Sequence, residues 1–180
     1  MPNTLTFILG GARSGKSTYA QQLAEESGKP VIFVATAVAF DDEMTARIAL
    51  HRAERPVGWR TLETPLGVGK AVRTSGSARG VVLLDCLTLL ANNVILSLSD
   101  PENGPAAQAA LDAEIAALIE VWEQGNADWI VVSNEVGLGL VPEYPLGRVY
   151  RDALGRANQR LAQSATRVIF MVAGLPLIVK

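Results

Sequence analysis

Residues 5–28 read LTFILGGARSGKSTYAQQLAEESG. An apolar burst, Leu5 to Leu9, runs straight into a glycine-rich loop, and Thr18 to Ser27 then reads as a helix halted by Gly28, Lys29 and Pro30. Within this strand–loop–helix, Gly10, Gly11, Ala12, Arg13, Ser14, Gly15, Lys16 and Ser17 satisfy GxxxxGK[ST] in full. Glycine permits backbone conformations closed to other residues, so successive amides turn inward around a phosphate at the helix N-terminus. Lys16 is then expected to reach the β and γ oxygens of a nucleoside triphosphate, and Ser17 to ligate Mg2+. A chance glycine turn is the bland alternative, and the flanking strand and helix argue against it.

The same alternation continues outward. Further apolar bursts stand at Val31 to Val34, Gly80 to Cys86, Trp129 to Ser133, Val168 to Val172 and Leu177 to Val179, with a short strand expected at Trp59 to Glu63. Between them helices are expected at about Asp42 to Arg52, Leu66 to Arg73, Leu87 to Leu98, Ala106 to Gln124 and Arg148 to Ala165. In the fourth of these, Leu111, Ile115, Leu118 and Trp122 fall at helical spacing and form one core-facing stripe. Strands alternating with helices through right-handed crossovers predict an α/β fold: a mostly parallel, twisted sheet with helices on both faces, with ligands gathered at the carboxyl ends of the strands. With no internal repeat and no low-complexity linker, residues 1–180 are expected to form a single domain.

Composition excludes other classes. The 180 residues, 49% hydrophobic, suffice for a full core without a disulfide, and the sole cysteine, Cys86, has no internal partner. A net charge of -2 gives no general attraction to nucleic acid or to anionic lipid, so phosphate binding must be local. Apolar runs are too short to span a bilayer. The opening MPNTLTFILGG lacks a basic stretch ahead of an apolar one, so the expected compartment is the cytoplasm.

A phosphate loop needs an acid on a neighbouring strand to order the metal and its water. Asp85, ending VVLLD, is the candidate, with capping of the helix at Leu87 as its alternative role. Glu135 opens toward the same sheet edge. The only histidine, His51, stands late in the helix beginning near Asp42, where Asp41 and Asp42 suit the N-terminus and Arg47 precedes it by one turn. A lone histidine at a helix end is ordinarily a solvated or capping residue. Beside a phosphate loop, neutral imidazole is also a nucleophile toward phosphorus, and a nearby cation such as Arg47 would lower its pKa and keep it neutral.

Taken together, GGARSGKS, FVATA, DDEMTARIALHR with RP behind it, GWRTLE, LLDCLT, SNEVGLGLVPE and GRANQRLA, in this order, resemble the bifunctional adenosylcobinamide kinases and adenosylcobinamide-phosphate guanylyltransferases of cobalamin biosynthesis. The likeness covers essentially the whole chain. It implies a RecA-like fold of the P-loop NTPase type and two activities: phosphorylation of adenosylcobinamide with ATP or GTP, then transfer of GMP from GTP to adenosylcobinamide phosphate. It also implies that His51 carries GMP covalently, and that nucleotide contacts fall on the phosphate loop, on Val34, Ala35 and Thr36, on Arg52, Ala53, Glu54 and Arg55, and on Glu63 and Asp85. Family members often carry Glu where this chain has Asp85, an acid one methylene shorter. Mg2+ is the implied cofactor, held by Ser17 and Asp85, and a homo-oligomer, described as a trimer, the implied assembly.

Two other readings stay open at this stage: a simple P-loop kinase or NTPase without a covalent intermediate, and a nucleotide-dependent switch. For the second substrate, the Gly- and Pro-rich loop Asn134 to Gly147 is a candidate binding lip, with a rigid packing turn as the equal alternative.

Overall fold

The computed structural model describes residues 3–39, 42–53, 55–76 and 79–180, without the side chains of Glu43, Met44, Arg47 and His51. Among the described residues seven strands form one sheet in the order β3-β2-β4-β5-β1-β6-β7. They are β1 (Leu5–Gly10), β2 (Val31–Ala35), β3 (Arg60–Glu63), β4 (Val81–Asp85), β5 (Asp128–Val132), β6 (Arg167–Val172) and β7 (Leu175–Ile178). The first six run parallel, and β7 turns back antiparallel on β6 with Val172 opposite Leu175. Among the described residues six helices join them: α1 (Lys16–Glu26), α2 (Asp42–Ala53), α3 (Val68–Thr74), α4 (Leu87–Leu96), α5 (Gly104–Gln124) and α6 (Pro145–Ser164).

The central strands are apolar on both faces, and their period of two divides the core. Val82, Leu84, Trp129 and Val131 pack with α3 to α6, including the stripe Leu111, Ile115, Leu118 and Trp122. The alternate residues Val81, Leu83, Ile130 and Val132 pack on the other face, with Ala20 and Ala24 of α1. Burial of this kind stabilises by about 25 cal/mol per Å² of apolar surface removed from water, which makes the sheet's centre the rigid platform for whatever its strand ends carry. Among the described residues no helix is long and apolar enough to cross a membrane.

Three helices start earlier than the sequence pattern suggests: α1 at Lys16 rather than Thr18, and α5 and α6 each through a proline. Pro105 and Pro145 stand in the first turns of α5 and α6, where a missing N–H costs nothing, and the Asn103 side chain caps α5 by accepting from the Ala106 N–H at 3.0 Å.

Candidate nucleotide and phosphate site

The carboxyl ends of β1, β2, β4 and β5 open into a cleft of about 860 Å³. From β1 comes the phosphate loop. Gly15 is the N-cap of α1 at φ 90°, and a Cβ there would lie 3.3 Å from the Gly174 Cα, so both the turn and the close approach demand glycine. Lys16 is buried, its Nζ donating to the Gly11 carbonyl at 2.6 Å and to Ser14 Oγ at 3.4 Å. Burial lowers the lysine's pKa, opposed by neighbouring Cys86 and Asp85. A desolvated ammonium of this kind gains strongly from an anionic ligand.

Opposite, the end of β2 contributes Phe33 and Ala35, β4 contributes Asp85, and the turn at the start of α4 contributes Cys86, Thr88 and Leu89. The N-cap position of α4 falls to Cys86, so Asp85 is not the capping residue that its place in the sequence allowed. Two half-buried threonine bonds hold this peptide: Thr36 Oγ1 donates to the Cys86 carbonyl at 2.8 Å and accepts from the Cys86 N–H at 3.1 Å. Asn93 Nδ2 in turn donates to the carbonyls of Thr36, at 2.8 Å, and Pro65, at 3.0 Å. The ends of β2 and β4 are therefore held in one register beside the phosphate loop.

The third wall is cationic. Arg52 pairs with Glu63 of β3, and both line the cleft. The Arg55 guanidinium lies 4.0 Å over the Phe33 ring, which stacks on Trp59 with centroids 6.3 Å apart. Its Nη1 donates to Thr61 Oγ1 at 3.3 Å, while its Nε is buried with no hydrogen-bond partner among the described residues. Burial lowers the pKa of Arg55, Arg52 adds to this and Asp85 opposes it, yet the group stays cationic.

Of the residues expected at the site, Ala12 to Ser17, Ala35, Arg52, Arg55, Glu63 and Asp85 line this cleft. Gly10 closes β1 and Gly11 accepts from Lys16, so both belong to the loop's frame. Val34 and Thr36 are fully buried, and Ala53 is the exposed last residue of α2. Asp41, Glu54 and the side chains of Arg47 and His51 lie outside the described residues. The Glu135 carboxylate accepts from the Gly137 N–H at 2.6 Å and serves its own loop. Phe33, Ile48 and Thr88 line the cleft without having been expected there, and so does Asn134, the first residue of the loop expected to form a lip for the second substrate. The available signal was position: Thr88 and Asn134 are among the first polar residues beyond the ends of β4 and β5.

A phosphate loop on a parallel sheet, an acid at the end of a nearby strand and two arginines facing them define a nucleotide-dependent phosphotransferase of the P-loop class. Comparison with known proteins narrows this. The family model for cobinamide kinase / cobinamide phosphate guanyltransferase matches residues 6–179, and the chain belongs to that family of bifunctional kinases and guanylyltransferases. Its relatives include the bifunctional adenosylcobalamin biosynthesis protein CobP of Pseudomonas aeruginosa, 48% identical over 96% of this chain and 95% of that one. The CobU proteins of Escherichia coli K12 and Salmonella typhimurium LT2 are 39% and 38% identical, each over 98% of this chain and 99% of theirs. Among solved structures, the RadB recombinase superposes with a TM-score of 0.53 at 18% identity, covering 94% of this chain and 74% of that chain. A Pyrococcus horikoshii OT3 protein, PH0250, reaches 0.59 at 8% identity, over 98% of this chain and 86% of that chain. These two likenesses bear on the fold alone, which is RecA-like.

Proposed function

We propose that one domain, residues 1–180, performs both reactions at this cleft, with His51 as the nucleophile of the second. In the first reaction the hydroxyl ending the aminopropanol arm of adenosylcobinamide attacks the γ-phosphorus of ATP or GTP, losing its proton as the nucleoside diphosphate leaves. In the second, a neutral imidazole nitrogen of His51 attacks the α-phosphorus of GTP. The N–P bond forms as the bond to the bridging oxygen breaks and pyrophosphate departs. A phosphate oxygen of adenosylcobinamide phosphate then attacks the same phosphorus, the N–P bond breaks, and adenosylcobinamide-GDP forms.

Both steps drive negative charge onto leaving phosphates, and the same side chains meet it. Lys16 and the phosphate-loop amides hold those oxygens, and Arg55, whose Nε–H has no partner among the described residues, supplies a further donor. Ser17 and Asp85 offer two hard oxygen donors at the cleft, a set that suits Mg2+ completed by water and phosphate rather than a protein cage. When bound there, Mg2+ would spread the charge of the β and γ oxygens.

The observation that carries the reading is register. Position 51 lies three residues after Ile48 and one before Arg52, both on the cleft wall, within α2. A homo-oligomer, a trimer by resemblance, accords with the exposed apolar edge of β7, where Leu175 is 72% and Ile178 62% exposed. The reading takes the compartment to be the cytoplasm.

The test is direct. GTP carrying 32P at its α-phosphate should label the protein with GMP that is acid-labile and alkali-stable, and His51→Ala should abolish the label while keeping part of the kinase activity. Full labelling of His51→Ala would overturn the assignment. Loss of both activities alike would make the histidine structural.

A further inference from the structure

The loop leaving β5 displays its apolar side chains to solvent: Leu138 is 82% exposed, Leu140 97%, Val141 63% and Tyr144 64%. It is not a slack segment. Asn134 donates its N–H to Thr88 Oγ1 at 2.9 Å, the Gly137 N–H is held by Glu135, and Arg148 Nη1 donates to the carbonyls of Pro142, at 3.0 Å, and Glu143, at 2.6 Å. A braced loop that holds leucines out of the core presents a surface for something else to cover.

Beside it lies a second hollow of about 260 Å³ between α4 and α6, lined by Asn92, Ile95, Leu96, Tyr144, Leu146 and Tyr150. This hollow joins the nucleotide cleft along one helix. Thr88 of α4 lines the cleft, while Asn92 and Leu96, four and eight residues on, line the hollow. At 1.5 Å of rise per residue, the hollow spans about 6 to 12 Å along α4 from the cleft wall on the same helical face. The Tyr150 hydroxyl fastens the two regions together by donating to the Thr88 carbonyl at 3.1 Å.

We propose that this lip and hollow seat the corrin macrocycle of cobinamide, with the hydroxyl arm reaching back along α4 to the phosphate loop. The inference rests on the functional reading above and adds where the second substrate sits. Chemistry and size both select this occupant. A corrin ring has methyl-studded faces and a rim of neutral carboxamides, and the hollow offers apolar walls, the Asn92 amide and two phenols, with no charged side chain among its described lining. A phosphate-bearing ligand would find no cation there. The hollow is too small for a whole macrocycle, so it takes one edge of the ring while the exposed leucines cover a face.

The test uses the full chain carrying Leu138→Ser and Leu140→Ser together, both side chains being too exposed for the change to disturb the core, with Leu96→Ala as a separate variant. The KM for cobinamide in the kinase reaction, and cobinamide binding by equilibrium dialysis read at its visible absorbance, should weaken about tenfold or more. Self-labelling by GTP, the KM for nucleotide and the mass by light scattering should stay unchanged. Unaltered cobinamide binding overturns the proposal, and so does disassembly of the variants, which would make the lip a contact between copies of this chain. If the unaltered protein neither labels itself nor phosphorylates cobinamide, the functional reading fails and this inference falls with it.

Discussion

Gly174 donates its backbone N–H to the Ser14 carbonyl at 3.1 Å, so the turn between β6 and β7 rests on the phosphate loop. Gly174 takes φ +82°, a region in which any side chain is strained. Gly174→Val is therefore expected to cost about 1–2 kcal/mol of stability and also to raise the KM for nucleotide several-fold, because the strained turn pulls on Ser14. Thermal unfolding beside nucleotide kinetics separates the two effects. A drop in stability with an unchanged nucleotide KM would show that the hairpin merely closes the sheet.

Lys16 bears on both reactions alike. Its ammonium is already desolvated and held by Gly11 and Ser14, so it is organised for phosphate before any ligand arrives. Lys16→Met should lower kcat by about 10²–10³ in phosphoryl transfer and in GMP self-labelling. A large loss in one reaction only would mean that the two halves do not share this loop.

Thr36 is predicted to act through Cys86 rather than by touching nucleotide. Its hydroxyl is fully committed, donating to the Cys86 carbonyl and accepting the Cys86 N–H. Thr36→Val leaves the Cys86 N–H without this partner, while the Cys86 carbonyl keeps the Leu90 N–H at 3.2 Å, a loss of about 1–3 kcal/mol. The distinguishing outcome is kinetic: kcat should fall about tenfold with little change in nucleotide KM, since Asp85 precedes the clamped peptide, and Thr36→Ser should restore it. A KM effect without a kcat effect would point to direct nucleotide contact instead.

The phosphate loop was legible because all its determinants are local: a burst of β-forming residues, glycines, and a helix whose first turn carries Lys16 and Ser17. Asp85 was legible for a similar reason, as an acid ending an apolar strand. The cleft's remaining wall depends on sheet order. Phe33 reads in the sequence as one more apolar residue of β2, and only the placement of β3 beside β2, bringing Trp59 and Arg55 over its ring, makes it part of the site. The early starts of α5 and α6 are harder to see in the sequence because proline ends a helix in its interior yet is tolerated in a first turn, where Pro105 and Pro145 stand.

Cys86 offers a pH test of the cleft's interior. Burial and the adjacent Asp85 carboxylate raise its thiol pKa from 9.0 to about 11, outweighing hydrogen bonds from Leu89 and Thr88. Only the thiolate is nucleophilic. At pH 8 the thiolate fraction is then lower than that of an ordinary thiol by about 100-fold, and alkylation by iodoacetamide in the folded state should be slower by about that factor. The same shift links to stability. The folded chain keeps a proton that the unfolded chain releases near pH 9, so this group's contribution is intact below pH 9 and is lost as pH rises toward 11. Cys86→Ser should flatten that alkaline decline in a urea-unfolding series. Rapid alkylation of folded protein at pH 8 that nucleotide does not slow would place the thiol outside the buried cleft wall.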